Sequence, residues 1–117
     1  MDHPKRGEVW FANFDPTRGH EQSGNRPCLV VSVDAFNASA ADLLIVVPIT
    51  SQDKGIRSHV RIDPPEGGLK KVSYAKCEDI RSIARERLSK RWGRVHERTG
   101  MHDSARIKFP RARFSHS

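Results

Sequence analysis

The sequence reads as a small, mainly β domain with minor helices, closed as a barrel or a sandwich. Three observations point there. Short runs of β-branched and aromatic residues follow one another at close spacing, turn clusters such as PPEGG separate them, and only one stretch near the C-terminus carries a helical period. The chain has 117 residues, which argues for a single domain over 1–117.

The runs follow in order. Residues 9–14, VWFANF, suit a strand. Residues 28–33, CLVVSV, are apolar without alternation, as in a strand buried on both faces. Residues 43–49, LLIVVPI, form a third. Pro48 lacks an N–H for a ladder, so it is expected near the strand end or on an edge. Residues 59–63 alternate, residues 72–77 and 79–83 read as further strand material, 84–88 as a short helical turn, and 91–95 as a last strand. Met101, Ala105 and Phe109 recur at intervals of four behind a capping Thr99, and Pro110 ends that pattern, so 110–117 is expected to fray.

Composition narrows the function. The net charge is +7 and the pI about 10.0. That balance favours an anionic partner, most often nucleic acid. No apolar run approaches the roughly 18 residues that cross a bilayer, and the N-terminus MDHPKRGE has no apolar secretory core. A cytoplasmic protein without a membrane role is expected. Cys28 and Cys77 are isolated and read as small apolar residues, not zinc ligands. The carboxylates are scattered and the adjacent pair Glu78–Asp79 would diverge on a strand, so no metal and no cofactor is expected.

Residues 15–27, DPTRGHEQSGNRP, carry the most chemistry. They form a long polar loop between two strands, and Arg26–Pro27 leads directly into CLVVSV. A guanidinium at the mouth of a strand is placed to meet a phosphate, with a planar fork matching two oxygens. Glu21 in the same loop offers a base, and His20 is the one histidine worth testing. Residues 50–55, TSQDKG, follow the third strand and add hydroxyls, an amide and Lys54. If neighbouring strands bring both loops to one end of the barrel, Thr50 lies near Arg26. Among the aromatics, Trp10, Phe11, Phe14 and Phe36 are available for stacking on bases, with Phe14 best placed at the loop entrance.

With these residues in hand, the chain resembles the MazF/PemK (Kid) toxins of bacterial toxin–antitoxin systems. The pattern is a strand followed by DPTRGHEQSGNRPCLVVS, then VVPITSQDKG, then CEDIRSIARERL, and it spans roughly 5–98. The resemblance implies an SH3-like (PemK/CcdB-type) barrel, usually a homodimer. It also implies sequence-specific, metal-independent cleavage of single-stranded RNA, leaving a 2′,3′-cyclic phosphate and a 5′-hydroxyl, under control of a MazE-like antitoxin. Catalytic roles then fall on Arg26, Thr50 and Glu21. RNA contacts are expected from Phe14, Thr17, Arg18, His20, Gln22, Asn25, Ser51, Gln52, Lys54 and Glu78. Asp79 stands where many members carry glutamine, and the tail after Gly100 is short, polar and basic where a longer apolar helix is usual. A CcdB-like gyrase inhibitor and a non-catalytic RNA- or antitoxin-binding module are the alternative readings.

Overall fold

A computed structural model describes residues 3–14 and 24–96. Its strands are β1 (Glu8–Asn13), β2 (Asn25–Val30), β3 (Leu43–Thr50), β4 (His59–Ile62), β5 (Ser73–Lys76), β6 (Arg81–Ala84) and β7 (Leu88–Arg94). One helical turn, α1 (Asp34–Asn37), and three single 3₁₀ turns, Glu66–Gly68, Cys77–Asp79 and Arg85–Arg87, complete the described elements. Every strand pairing is antiparallel, in the order β4-β5-β3-β2-β1-β7, with β6 also on β3.

The long strand β3 is the spine. One edge pairs with β2, with Cys28 opposite Pro48 and Val30 opposite Val46. The other edge pairs first with β6, from Leu43 to Val46, and then with β5, at Ile49 and Thr50. Between these ladders, residues 76–80 of the opposing chain face only 47 and 48 of β3. The surplus is wound into the turn Cys77–Asp79, and there the sheet turns its corner. Pro48 stands at that interruption, where a missing N–H breaks no bond on that side. It is therefore inside the central strand, near its end but not on an edge, and fully buried. The two strand-like runs 72–77 and 79–83 are thus one pass along β3 with a corner in it.

Alternation along β2 and β3 explains why their sequences are apolar throughout. Leu29, Val31, Val47 and Ile49 enter one core with Val9, Val60, Ile62 and Leu69. Cys28, Val30, Leu44 and Val46 enter a second with Ala12, Phe14 and Ile83. Both faces exclude water, and each fully buried aliphatic side chain contributes roughly 1.5–3 kcal/mol. β1 meets β7 through two register shifts, between Val9 and Trp10 and between Phe11 and Ala12. Such bulges increase local twist and curl the sheet toward closure.

The four-residue helix α1 is too short to show a sequence period. Side-chain bonds hold it instead. The buried Asn37 Nδ2 donates to the carbonyls of Pro4 and Ser32 at 3.0 and 3.1 Å, its Oδ1 accepts the Ser32 hydroxyl, and Asp34 Oδ1 accepts the Arg6 N–H at 2.9 Å. The turn Glu66–Gly68 lies against β7 at a distance only glycine permits. A Cβ on Gly68, at φ +73°, would stand 2.1 Å from the Trp92 carbonyl oxygen, and one on Gly93 would stand 2.6 Å from the Gly68 nitrogen. The expected C-terminal helix around 101–109 and the tail 110–117 lie outside the described residues.

Candidate active site

The β2–β3 register fixes the first half of the site. Cys28 lies opposite Pro48. Two residues further along each strand, the same register sets Arg26 across from Thr50. Both line a groove of about 710 Å³, together with their neighbours Pro27 and Ile49. The loop after β3 continues this wall. Thr50 Oγ1 accepts the Gln52 N–H at 3.2 Å, which fixes the hydroxyl oxygen. Asp53 Oδ1 accepts the Gly55 N–H at 2.9 Å, and Gly55 takes the left-handed φ of +65° that such a tight turn favours. Ser51, Gln52 and Lys54 line the groove, whereas Asp53 does not.

The rest of the lining comes from Ser73 and Lys76 on β5, which pairs with β3 at Thr50, and from Leu69, Lys70 and Lys71 with Lys90, Arg91 and Trp92 on β7. The Gly68–Gly93 approach is what brings these two segments side by side. Arg91 is anchored in the protein body, its Nε donating to Glu8 Oε2 at 2.9 Å. Glu8 is 8% exposed, and its Oε1 accepts the Trp10 indole N–H and the Lys5 backbone N–H, each at 2.9 Å. Burial pushes the Glu8 carboxyl up. The hydrogen bonds from Trp10, Lys5 and Arg91, with the Arg91 charge, outweigh it and hold the group below its ordinary value. Lys76 Nζ pairs with Asp79 Oδ2 at 3.0 Å. Trp92 stacks on Phe11 with centroids 5.2 Å apart and planes 10° apart.

Arg26, Lys54, Lys70, Lys71, Lys76, Lys90 and Arg91 put seven cations on the groove, and no Asp or Glu among the described residues lines it. Low-dielectric walls of one sign concentrate the field, so a multiply charged anion is the ligand this surface suits. Among the described residues no three of His, Cys, Asp and Glu come together as a metal-binding group.

The expected site residues divide into four sets. Arg26, Thr50, Ser51, Gln52 and Lys54 come together on the groove. Asn25 is exposed beside it at the start of β2, opposite Asn13. Glu21, Thr17, Arg18, His20 and Gln22 lie outside the described residues. Two expectations need correction. Phe14 is 4% exposed and packs in the second core, with the Arg81 guanidinium 5.5 Å from its ring centroid, so it is no platform for a base. Glu78 does not line the groove, and both its oxygens are engaged: Oε1 accepts the Ser58 hydroxyl at 2.6 Å and Oε2 the His59 Nε2–H at 2.9 Å.

Sequence reasoning missed His59, Ser73, Trp92 and the five cations of the far wall. The doublets Lys70–Lys71 and Lys90–Arg91 stand in the sequence as charge, but only the fold shows that they line one groove with Thr50 and Arg26. Cys28 behaves as the sequence suggested. It is fully buried, and burial pushes its thiol up to about 12, slightly countered by the Trp10 backbone, so it is chemically silent.

An antiparallel barrel with a cationic groove at the ends of its central strands defines a class of small protein whose charge suits an extended anion. Comparison with known proteins gives that class its family. Residues 5–105 match the sequence model of the PemK-like, MazF-like toxins of type II toxin–antitoxin systems, and the chain belongs to this family. It is 43% identical to the endoribonuclease MazF9 of Mycobacterium tuberculosis over 78% of this chain and 81% of the relative. With the endoribonuclease PemK of Escherichia coli it shares 39% over 80% and 71%. Among solved structures, MazF of Deinococcus radiodurans superposes with a TM-score of 0.77 at 27% identity, covering 96% and 99% of the two chains. A MazE–MazF complex from the same organism gives 0.72 at 27%, covering 96% and 98%.

Proposed function

We propose that this protein is the endoribonuclease toxin of a toxin–antitoxin pair and that it cuts single-stranded RNA in the groove between Arg26 and Lys71. The curated relatives are named endoribonucleases, and the family assignment supports the same activity here. The observation that carries the substrate is the groove itself, which Arg26 and Thr50 line together with six further cations and with no Asp or Glu among the described residues. Single-stranded RNA presents its phosphates and 2′-hydroxyls to such a surface.

The reaction needs no group beyond the protein and the RNA. The 2′-oxygen loses its proton and bonds to the adjacent phosphorus. The bond from phosphorus to the 5′-oxygen breaks, and that oxygen takes up a proton. The products are a 2′,3′-cyclic phosphate and a 5′-hydroxyl. Arg26 clamps two non-bridging oxygens as charge builds on the phosphorane. Thr50, its oxygen fixed by the Gln52 N–H, donates its own proton to the same phosphate. Glu21 is assigned as the acceptor of the 2′-proton, since arginine and an unactivated hydroxyl are poor bases.

The antitoxin reading follows from the same charge. An acidic, unstructured segment satisfies the cations that phosphates would occupy and excludes RNA by competition. The solved neighbours include a MazF bound to MazE. A homodimer in the cytoplasm is the assembly that accords with the family.

The decisive experiment incubates purified protein with unstructured RNA in excess EDTA and maps the ends. Cyclic-phosphate and 5′-hydroxyl termini are expected. Arg26→Ala is expected to lower the rate about a hundredfold or more without changing the melting curve. Intact RNA with the wild-type protein overturns the proposal, and inhibition of DNA supercoiling with RNA left whole assigns the CcdB-like activity instead.

A further inference from the structure

The groove wall formed by 51–54 belongs to a loop with little holding it down. Residues 51–57 are all exposed. At its start the loop is tied by Thr50 Oγ1 to the Gln52 N–H. At its end His59 enters β4, paired with Lys76 of β5, its N–H donates to the Ile56 carbonyl at 3.0 Å, and the side chains there are tied to one short turn, Cys77–Asp79. The Cys77 N–H donates to the Ser58 carbonyl at 3.3 Å, and the two oxygens of Glu78 take the Ser58 hydroxyl at 2.6 Å and the His59 Nε2–H at 2.9 Å. One carboxylate thus grips two consecutive residues twenty positions away in sequence.

We propose that Glu78, acting through Ser58 and His59, is a positioning residue that holds the 51–58 loop in its RNA-binding position. This rests on the reading of the groove as an RNA site and deepens it. Glu78 governs how tightly RNA is held, not how fast the bond breaks. The reason is geometric. Ser51, Gln52 and Lys54 ride on the clamped loop, whereas Arg26 and Thr50 sit on β2 and β3, whose register is set independently.

His59 is part of the clamp and not a reacting group. It lines the groove, yet the residue is only 6% exposed, and its Nδ1 is buried with no hydrogen-bond partner among the described residues. A nitrogen sealed in this way does not reach a ribose hydroxyl. The side chain's hydrogen bond to Glu78 fixes the tautomer, with the Nε2 proton facing the carboxylate.

Two conservative variants test the proposal. Glu78→Gln keeps the shape and replaces one acceptor by a donor. Ser58→Ala removes one of the gripped groups from a partly exposed position. Each is expected to raise KM about fivefold, the worth of roughly one typical net hydrogen bond, with kcat nearly unchanged and the protein still fully folded at the assay temperature. The double variant is expected to add little to either single one, because both break the same link. Binding of a labelled 2′-O-methyl RNA of mixed sequence, which lacks the attacking hydroxyl, is expected to weaken in parallel. A fall in kcat with KM unchanged overturns the proposal, since Glu78 would then act on the reacting atoms. Unaltered constants and unaltered binding overturn it equally, and so does weakened binding that tracks global unfolding at the assay temperature. If the wild-type protein cuts no RNA, the enzymatic reading fails while the 2′-O-methyl arm still decides the clamp; if the wild type binds neither, both fall.

Discussion

The two walls of the groove are built in opposite ways. The wall carrying Thr50, Ser51, Gln52 and Lys54 leaves the half-buried end of β3 as a run of exposed residues shaped by single hydrogen bonds between near neighbours, Thr50 to Gln52 and Asp53 to Gly55. The wall carrying Lys70, Lys71, Arg91 and Trp92 is set by close packing. Gly68 and Gly93 touch backbone to backbone, and Arg91 is fixed by a nearly buried carboxylate. The proposed reacting groups therefore sit at strand ends beside an adjustable loop, while many of the cations proposed to attract the RNA are fixed to the body of the fold. That division separates rate from affinity, and each wall gives its own test.

On the adjustable wall the largest effect is expected from Thr50→Val. The change keeps shape and volume but removes the oxygen that accepts the Gln52 N–H and the proton that meets the phosphate. A loss in kcat of about a hundredfold is expected, read by single-turnover cleavage, with the melting temperature close to the wild type. If KM alone rises, the hydroxyl belongs to binding and the separation of the walls fails. On the fixed wall Gly68→Ala gives the counterpart. A Cβ 2.1 Å from the Trp92 carbonyl oxygen, at a φ of +73°, forces turn and strand apart. Stability is expected to fall by about 2 kcal/mol or more, measured by urea unfolding, with RNA binding weakened because Lys70 and Lys71 move away from Trp92.

Removing charge from the fixed wall is a smaller change. Lys70→Ala and Lys71→Ala are each expected to weaken RNA binding without altering kcat. Each should reduce the slope of log affinity against log salt by about 0.7, the value for one phosphate contact on a single strand. An unchanged slope would show that the lysine meets no phosphate.

Much of this was legible in the sequence, and the omissions have physical causes. β2 and β3 were readable because strands buried on both faces must be apolar throughout, and Cys28–Val30 and Leu43–Val47 are. That Arg26 and Thr50 come to one groove was readable because each adjoins such a run. α1 was not, since four residues carry no period and its stability comes from Asn37 and Asp34 reaching distant backbone. Pro48 was half-read, because sequence shows a missing N–H but not the break between two ladders that tolerates it. Phe14 was misread because an aromatic at a strand end looks the same whether it faces solvent or core. The far wall was missed because Lys70 and Arg91 are twenty-one residues apart in the chain and meet only through a glycine contact.

The smallest expected effect concerns the anchor beneath Arg91 and follows from the direction of the Glu8 shift. Burial opposes ionisation, but the Trp10, Lys5 and Arg91 hydrogen bonds win, so the folded carboxyl lies below its unfolded value. A group depressed on folding contributes stability that is complete above the unfolded pKa and disappears as pH falls through the folded one. The thermal stability of the wild-type protein should therefore fall on the acid side of the ordinary carboxylate range. Glu8→Gln keeps an acceptor for the Trp10 indole and removes the charge, so its melting temperature is expected to be lower at neutral pH and to depend less on pH below that range. Arg91 then loses its charged partner while keeping its place on β7, and RNA binding at neutral pH should change less than with Lys71→Ala. A Glu8→Gln protein whose acid unfolding parallels the wild type would show that other carboxylates carry the pH dependence, and that packing alone holds Arg91 on the fixed wall.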